Sequence, residues 1–237
     1  MRAILLAAGL GTRLRPLTDS TPKCLAPING KPLLGYWLDS FEEVGVGPIL
    51  INLHHHADQV REFVEQRQDR DRIVLSYEKA LLGTGGTIRA NSDFCMNAST
   101  MMVHSDNFCM ADLEKFIRAH QARPPGTEIS MMTFVSENPH SCGIVEVSSE
   151  NVVTDFHEKV SNPPSCLANG AVYIFEPSVV KAIATMTSAP LDISRDVIPK
   201  YLGKIFAWPA NAIHIDVGTP CQLERANQIM KERFSET

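Results

Sequence analysis

A short apolar run followed by a glycine loop limits what the N-terminal part of this chain can form. Residues 3–7 are small and aliphatic, which predicts a strand buried on both faces of a sheet. Gly9 and Gly11 come next, and a residue without a side chain lets the backbone approach a ligand or turn with a positive φ. Thr12, Arg13 and Arg15 then add a hydroxyl group and two permanent cations. Successive backbone N–H groups form a concave anion site, so we expect this loop to bind a polyphosphate.

Two other glycine-loop motifs are excluded, because required residues are missing. The dinucleotide-binding motif requires a third glycine at the position of Leu14. The P-loop requires Gly-Lys followed by serine or threonine, whereas Gly30-Lys31 is followed by Pro32. A tight turn with solvated arginines and no ligand remains the alternative interpretation.

Strand and helix patterns alternate along the first half of the chain. Strands are predicted at 2–7, 48–53, 72–76 and 100–103, with helices at about 32–44, 57–66, 85–96 and 111–121. Such alternation indicates parallel strands joined by crossover helices. After residue 126 the pattern changes to strands at 128–135, 143–147, 152–156 and 171–175, with helices at about 177–186, 194–200 and 219–234.

Length and charge restrict the class of protein. A chain of 237 residues can form one large α/β domain, and we expect a single domain over residues 1–237. Its net charge of −5 argues against a polynucleotide partner, because nucleic-acid surfaces are basic. No apolar run approaches the ~18 residues of a membrane span, and Met1 leads directly into the first strand. We therefore expect a cytoplasmic protein without a membrane partner.

Neither the cysteines nor a histidine triplet has the spacing of a metal site. Six cysteines are scattered without a Cys-x-x-Cys pair, which predicts reduced thiols. His54, His55 and His56 are consecutive and would alternate faces on a strand end, without a carboxylate or thiol at ligand spacing. A surface or cleft-lining triplet is the preferred interpretation.

The glycine loop and its flanking residues resemble a known signature. The run from Gly9 to Thr18, followed by Pro22-Lys23, is similar to the signature of the sugar-1-phosphate nucleotidylyltransferases, also called nucleotide-diphosphosugar pyrophosphorylases. Further blocks in the family's order lie at 82–86, 105–106, 142–145, 156–159, 169–171 and 216–220. Short bacterial mannose-1-phosphate or heptose-1-phosphate guanylyltransferases show the most similar pattern. The resemblance implies a Rossmann-like mixed, mostly parallel sheet flanked by helices, with a nucleotide-binding half over about 1–123 and a sugar-binding half over about 124–237.

The resemblance also implies a reaction and assigns residues to it. A sugar-1-phosphate attacks a nucleoside triphosphate, and these two molecules are the expected partners. The catalytic residues would be Arg13 and Lys23, with Asp106 and Asp216 holding Mg²⁺, for which Mn²⁺ can substitute. The nucleotide would be bound by Ala8, Gly9, Gly11, Thr12, Arg13, Glu78 and Gly83. The sugar phosphate would be bound by Gly143, Glu158, Lys159 and Asn169.

Glu78 bears on the choice of base. It lies five residues before Gly83, the spacing of the family's base-reading side chain and backbone glycine. A carboxylate only accepts hydrogen bonds, which suits the adjacent N–H donors of guanine, whereas uracil and thymine suit a glutamine amide better. GTP is therefore the expected nucleotide. Uridylyl, cytidylyl or thymidylyl transfer to N-acetylmuramate-1-phosphate or glucose-1-phosphate remains the alternative.

Two other classes of function fit the residues less well. A non-catalytic regulatory subunit of the same fold would be indicated by loss of the motif lysine or a metal aspartate, and all three residues are present. A nicotinamide-dependent oxidoreductase is disfavoured by the missing third glycine. The sequence leaves open which sugar is used and whether the protein is a homo-oligomer.

Overall fold

A computed structural model describes residues 1–235 of the chain, with side chains described to residue 233. The strands are β1 (Arg2–Leu6), β2 (Pro27–Ile28), β3 (Lys31–Pro32), β4 (Ile49–Leu53), β5 (Ile73–Tyr77), β6 (Thr100–His104), β7 (Asn107–Cys109), β8 (Ile129–Val135), β9 (Gly143–Val147), β10 (Val153–Glu158), β11 (Leu167–Phe175), β12 (Ile205–Pro209) and β13 (His214–Asp216). The α-helices are α1 (Leu33–Glu43), α2 (Ala57–Glu65), α3 (Thr84–Ala90), α4 (Ser92–Cys95), α5 (Leu113–Gln121), α6 (Pro177–Ala184) and α7 (Pro220–Ser235).

Nine of the strands form one mixed sheet. Its strand order is β10-β9-β11-β6-β1-β4-β5, and β8 pairs with both β11 and β12. Strands β4 and β5 are parallel, as are β8 and β12, whereas β11 is antiparallel to β6 and β8. A mixed sheet with flanking helices confirms the predicted fold class. No helix of the described residues combines the length and apolar character needed to cross a membrane.

Most predicted elements are confirmed within one or two residues of their bounds, and two helix predictions are corrected. The helix expected near 85–96 is divided into α3 and α4 at Asn91, whose side-chain amide donates to Thr87 O at 2.9 Å. The helix expected at 194–200 is a π-helical turn, Ile193–Val197, followed by a 3₁₀ turn, Ile198–Tyr201. Pro199 prevents a continuous α-helix over 194–200, because it has no N–H to donate to the preceding turn.

Several strands were not predicted. Strands β7 and β13 have only three residues each, too few for a period-two pattern to be recognised, and they pair with each other outside the main sheet. Strand β12 was missed as well, and β11 begins at Leu167 rather than at Ala171.

The chain forms two compact units. The first unit comprises residues 1–4, 82–103 and 111–212. The second unit comprises residues 5–81, 104–110 and 213–235. Both units are discontinuous in sequence, and the expected single domain with two sequential halves stays a prediction.

An apolar core in the second unit supports the glycine loop. Its buried members come from the glycine loop, strands β2 and β7, helices α1 and α7 and the residues just before β2 and just after β13, namely Leu14, Ala26, Ile28, Leu33, Phe108, Val217, Ala226 and Met230. Phe108 and Val217 follow Asp106 and Asp216 by one or two positions. Because both apolar neighbours are buried, the backbone that follows each aspartate is anchored.

Candidate active-site residues

The glycine loop follows β1, and a side-chain hydrogen bond holds its first residue. The Ala7 N–H donates to Asn52 Oδ1 at 2.6 Å, and Ala8 is buried. Gly9 is exposed, and a Cβ atom there would meet nothing within 4 Å. Gly11 has a φ of +64°, and a Cβ atom there would lie 2.8 Å from Thr18 Cγ2. Only Gly11 is therefore required by its protein surroundings, while Gly9 leaves the backbone open to solvent.

Lys23 lies between two carboxylates of the second unit. It begins the 3₁₀ turn Lys23–Leu25 and is only 7% exposed. Its Nζ donates a hydrogen bond to Asp106 Oδ2 and lies 3.5 Å from Asp216 Oδ1. The structure thus brings together the predicted catalytic lysine and both predicted metal aspartates.

The pairing of β7 with β13 explains how residues so distant in sequence meet. Asp216 is the register partner of Asn107, the residue after Asp106. The Val217 N–H donates to Asp106 O at 3.0 Å, so the two strand ends are also joined beyond the paired residues. Neither strand was predicted from the sequence, and this pairing places both carboxylates at one ammonium group.

The Asp106 carboxylate is kept ionised by its neighbours. Burial raises the pKa of Asp106, but the charges of Lys23 and His104 and the hydrogen bond from Lys23 outweigh burial and lower that pKa below its usual value. The carboxylate can therefore serve as an anionic ligand at neutral pH.

Arg13 and Thr12 lie at the exposed side of the loop. Arg13 Nη2 is 3.6 Å from Asp216 Oδ2, with 68% of its side chain exposed. A Cβ atom at Gly218 would lie 2.9 Å from Arg13 Nη2, so the glycine leaves room for the guanidinium. An exposed arginine beside a glycine loop remains accessible to a phosphate group.

Asp106 and Asp216 fit the metal that the sequence predicts. They offer two hard oxygen donors at one place, and Mg²⁺ accepts one or two carboxylates together with substrate phosphates and water. Among the described residues, the group of three candidate ligands within 4.8 Å of one another is instead Glu146, Asp155 and His157 on the β9–β10 hairpin. The histidine triplet at 54–56 forms no such group among the described residues.

Glu78 is buried and held by the end of strand β4. It is 5% exposed, and Asn52 Nδ2 donates to its Oε1 at 2.9 Å. Its backbone N–H donates to Leu53 O at 2.8 Å, and His54 Nδ1 lies 2.8 Å from its carbonyl oxygen. Asn52 therefore links this carboxylate to the first residue of the glycine loop.

Gly83 belongs to the first unit and is required there by packing. Its φ is +83°, and a Cβ atom would lie 2.4 Å from Leu191 O. The Gly85 and Gly86 N–H groups donate to the same carbonyl oxygen at 2.9 and 3.1 Å. These glycines fit against the Leu191 backbone, and the contact of Gly83 with a base stays a prediction.

Three predicted sugar-phosphate residues meet on the β9–β10 hairpin of the first unit. Glu158 is the register partner of Gly143, and a Cβ atom at Gly143 would lie 2.8 Å from Glu158 Oε2. Lys159 Nζ is 3.5 Å from Glu158 Oε1, and 65% of its side chain is exposed. Lys159 also has a φ of +50°, a strained conformation of the kind that clusters at functional sites.

Asn169 is engaged in bonds within β11. Its Nδ2 donates to the Tyr173 hydroxyl at 2.6 Å, and its Oδ1 accepts from the Ala171 N–H at 3.0 Å. Burial raises the pKa of Tyr173, and the charges of Glu158 and Asp192 act in the same direction, against the hydrogen bonds from Asn169 and Ser194. Asn169 is therefore tied to a buried tyrosine of the same strand.

Two supporting residues were missed in the sequence. Thr18 is 2% exposed, and its Oγ1 donates to Gly11 O at 2.7 Å. Asn52 is 3% exposed. The available signal for Asn52 was a single amide inside the otherwise apolar strand β4.

Comparison with known proteins identifies the class. Residues 2–233 match the family model described as Nucleotidyl transferase, and the chain belongs to this family. This confirms the resemblance based on the glycine loop and its flanking blocks.

Individual relatives carry related names. The chain is 29% identical to the mannose-1-phosphate guanylyltransferase catalytic subunit beta of Xenopus tropicalis, over 93% of this chain and 62% of that protein. It is 33% identical to the glucose-1-phosphate thymidylyltransferase of Streptomyces griseus, over 79% of this chain and 52% of that protein. The chain thus spans only about half to three-fifths of the length of these relatives.

A solved structure shows the same fold. The crystal structure of HddC from Yersinia pseudotuberculosis, complexed with GMP-PN, superposes with a TM-score of 0.80 at 24% identity. The match covers 97% of this chain and 99% of that one.

Proposed function

We propose that this chain transfers a nucleotidyl group from a nucleoside triphosphate, GTP in the first instance, to a sugar-1-phosphate of mannose or heptose type. The products are a nucleotide sugar and pyrophosphate. The observation that carries the proposal is the buried ammonium of Lys23, which contacts the carboxylates of Asp106 and Asp216. Lys23 Cβ also lies 3.1 Å from the position that a Cβ atom at Gly11 would take, so the lysine adjoins the glycine loop.

The chemistry needs no protein nucleophile. An oxygen of the sugar phosphate attacks the α-phosphorus, and the bond from this phosphorus to the oxygen bridging it to the β-phosphorus breaks. Transfer of this kind is accelerated by positioning and by neutralising charge in an in-line transition state. Lys23 offsets the negative charge that develops there, while Arg13 and the loop N–H groups hold the phosphates that leave.

The proposed reaction uses a divalent cation. Asp106 and Asp216 would hold Mg²⁺, or Mn²⁺ in its place, and the bound ion would neutralise phosphate oxygens as a Lewis acid. Lys23 is held by the same two carboxylates, which supports a shared role of lysine and metal at the phosphates.

The choice of GTP rests on Glu78. Its carboxylate accepts a hydrogen bond from Asn52, which is consistent with an acceptor that meets the donors of guanine. The names of the guanylyltransferase relatives support the same base. The thymidylyltransferase relative keeps uridylyl, cytidylyl or thymidylyl transfer as the alternative, with glucose-1-phosphate or N-acetylmuramate-1-phosphate as acceptor.

Lys159 and Glu158 would bind the sugar phosphate. The exposed Lys159 ammonium suits the phosphate, and Glu158 suits the sugar hydroxyls as a hydrogen-bond acceptor. Gly143 keeps the space beside Glu158 open.

The proposal is tested by a matrix of substrates. Five nucleoside triphosphates are combined with the 1-phosphates of mannose, heptose, glucose and N-acetylmuramate in the presence of Mg²⁺, and pyrophosphate release is measured. We expect release with GTP and a mannose- or heptose-type acceptor. Release with UTP or dTTP alone would contradict the choice of base. Nucleotide binding without release from any pair would contradict catalysis and favour a regulatory subunit.

A further inference from the structure

Asn52 is a buried amide that bonds to two parts of the proposed nucleotide site. It is 3% exposed in strand β4, where the other four residues are apolar and buried. Its Oδ1 accepts from the Ala7 N–H at 2.6 Å, and its Nδ2 donates to Glu78 Oε1 at 2.9 Å. One side chain thus joins the start of the glycine loop to the carboxylate that would read the base.

The orientation of this amide follows from its partners. A backbone N–H only donates, so the amide oxygen must face Ala7. A carboxylate only accepts, so the amide nitrogen must face Glu78. No other uncharged side chain of the same size presents an acceptor and a donor in this arrangement. An aspartate in its place would keep the first bond and lose the second.

We propose that Asn52 is a positioning residue for nucleotide selectivity, which fixes the Glu78 carboxylate relative to the first residue of the glycine loop. This inference rests on the proposed function, because Asn52 acts through Glu78 and Ala7. Asn52 itself is 3% exposed and bonds to protein groups of that site. A buried amide that merely satisfied the core would affect all nucleotides equally.

The first test is Asn52→Asp, which changes the size of the side chain very little. The new carboxylate still accepts from Ala7 but opposes Glu78, so the Glu78 carboxylate must turn away from residue 52. We expect kcat/KM for GTP to fall about tenfold or more, with a smaller fall for UTP. The change should lie in KM, with kcat at saturating GTP within about threefold of the wild type, because Lys23 and the two aspartates are untouched.

The second test reverses the hydrogen bond. In Glu78→Gln alone, Asn52 donates to the new amide oxygen, and the amide nitrogen is left as a donor toward the base. The ratio of kcat/KM for GTP to kcat/KM for UTP (the GTP-to-UTP ratio) should therefore fall about tenfold. In the double variant Asn52→Asp/Glu78→Gln, the new amide nitrogen donates to residue 52, and the amide oxygen is again the acceptor. We therefore expect the double variant to have a higher GTP-to-UTP ratio than Glu78→Gln. It also keeps a bonded pair at this place if Asn52→Asp alone does not fold.

A matched control comes from the first unit. Asn91 is half-buried, and its amide donates to Thr87 O at 2.9 Å, so Asn91→Asp also turns a donor into an acceptor facing an oxygen. This variant should lower the unfolding temperature without changing the GTP-to-UTP ratio.

The outcomes separate this inference from the proposed function. Absence of pyrophosphate release by the wild type would contradict the proposed function, and calorimetric affinities for GTP and UTP would then provide the selectivity ratio for the same variants. The Asn52 inference is overturned if Asn52→Asp weakens GTP and UTP equally. It is also overturned if the fold-reduction of the GTP-to-UTP ratio in the double variant equals the product of the reductions in the two single variants.

Discussion

At the scale of single residues, Lys23 is the side chain with the most demanding surroundings. Its side chain is nearly closed off from solvent and has two anionic partners, so its removal takes a cation away from both carboxylates and leaves Asp216 with the exposed Arg13. We expect Lys23→Ala to lower kcat by on the order of 100-fold or more, because a cation aimed at the developing charge is lost. Pyrophosphate release at saturating substrate measures this effect.

The control for Lys23 is Lys115→Ala. Lys115 also pairs with an aspartate, Asp112, but lies exposed on helix α5. Lys115→Ala should leave turnover unchanged, because an exposed ion pair contributes little to the stability of the fold. Normal turnover by Lys23→Ala would remove this lysine from the proposed site.

Ala171 shows where the backbone near the proposed sugar residues is strained. Its φ of +53° lies in the left-handed region, which costs an alanine about 1–2 kcal/mol relative to a right-handed conformation. We expect Ala171→Gly to stabilise the folded state by about 0.5–1 kcal/mol after the entropy lost by glycine is subtracted. Urea unfolding measures the difference. Ala168→Gly in the same strand should instead destabilise, and a loss of stability in both variants would argue against strain at Ala171.

At the scale of elements, a buried histidine joins helix α5 to strand β8 and to the residue before α6. His120 Nδ1 lies 2.8 Å from Ser130 Oγ, and its Nε2 lies 3.0 Å from Glu176 Oε1. Arg123 donates to the same Glu176 oxygen at 2.8 Å. Since a carboxylate cannot donate, the neutral ring must carry its proton on Nε2 and accept from Ser130 at Nδ1.

This network predicts a dependence of stability on pH. Burial, followed by the charge of Arg123, lowers the pKa of His120 to about 4, against the opposing effect of Glu176. An unfolded histidine titrates near 6.5, so its contribution to stability is complete above about pH 6.5 and is lost as the pH falls toward about 4. We expect the free energy of unfolding to fall by on the order of 1–3 kcal/mol across this window through His120 alone.

His120→Gln tests this dependence, because glutamine does not titrate. Urea unfolding at several pH values should show a shallower loss of stability between about pH 6.5 and 4 in this variant than in the wild type. Gln121→Ala, at an exposed position on the same helix α5, should retain the wild-type dependence, because neither glutamine nor alanine titrates. Equal slopes in the wild type and His120→Gln would show that His120 does not titrate in this window.

At the scale of the whole molecule, the proposed activity should require a divalent cation. Asp106 and Asp216 provide the only carboxylates that the described residues place at Lys23, and both suit Mg²⁺. We expect EDTA to abolish pyrophosphate release and added Mg²⁺ or Mn²⁺ to restore it. An unchanged unfolding temperature in EDTA would separate this loss from unfolding. Full activity in metal-free buffer would exclude both aspartates as metal ligands.

Much of the fold and part of the candidate site could be predicted from local patterns. The apolar run of β1, the periodicities of the longer helices and the glycine loop are visible in the sequence, because each depends on residues close to one another. The family blocks also indicated Lys23, Asp106 and Asp216 as a set. Their roles in catalysis and metal binding remain predictions for the experiments above.

The sequence by itself determined the family, the mixed α/β fold and the chemistry of the loop residues. The tertiary structure decided which of these residues meet. Asp106 and Asp216 reach Lys23 through the pairing of β7 with β13, two strands too short to leave a pattern in the sequence. The two hydrogen bonds of Asn52 arise in the same way, since its partners lie 45 and 26 residues away. Contacts at such separations depend on how the chain packs, and a local periodicity contains no information about packing partners.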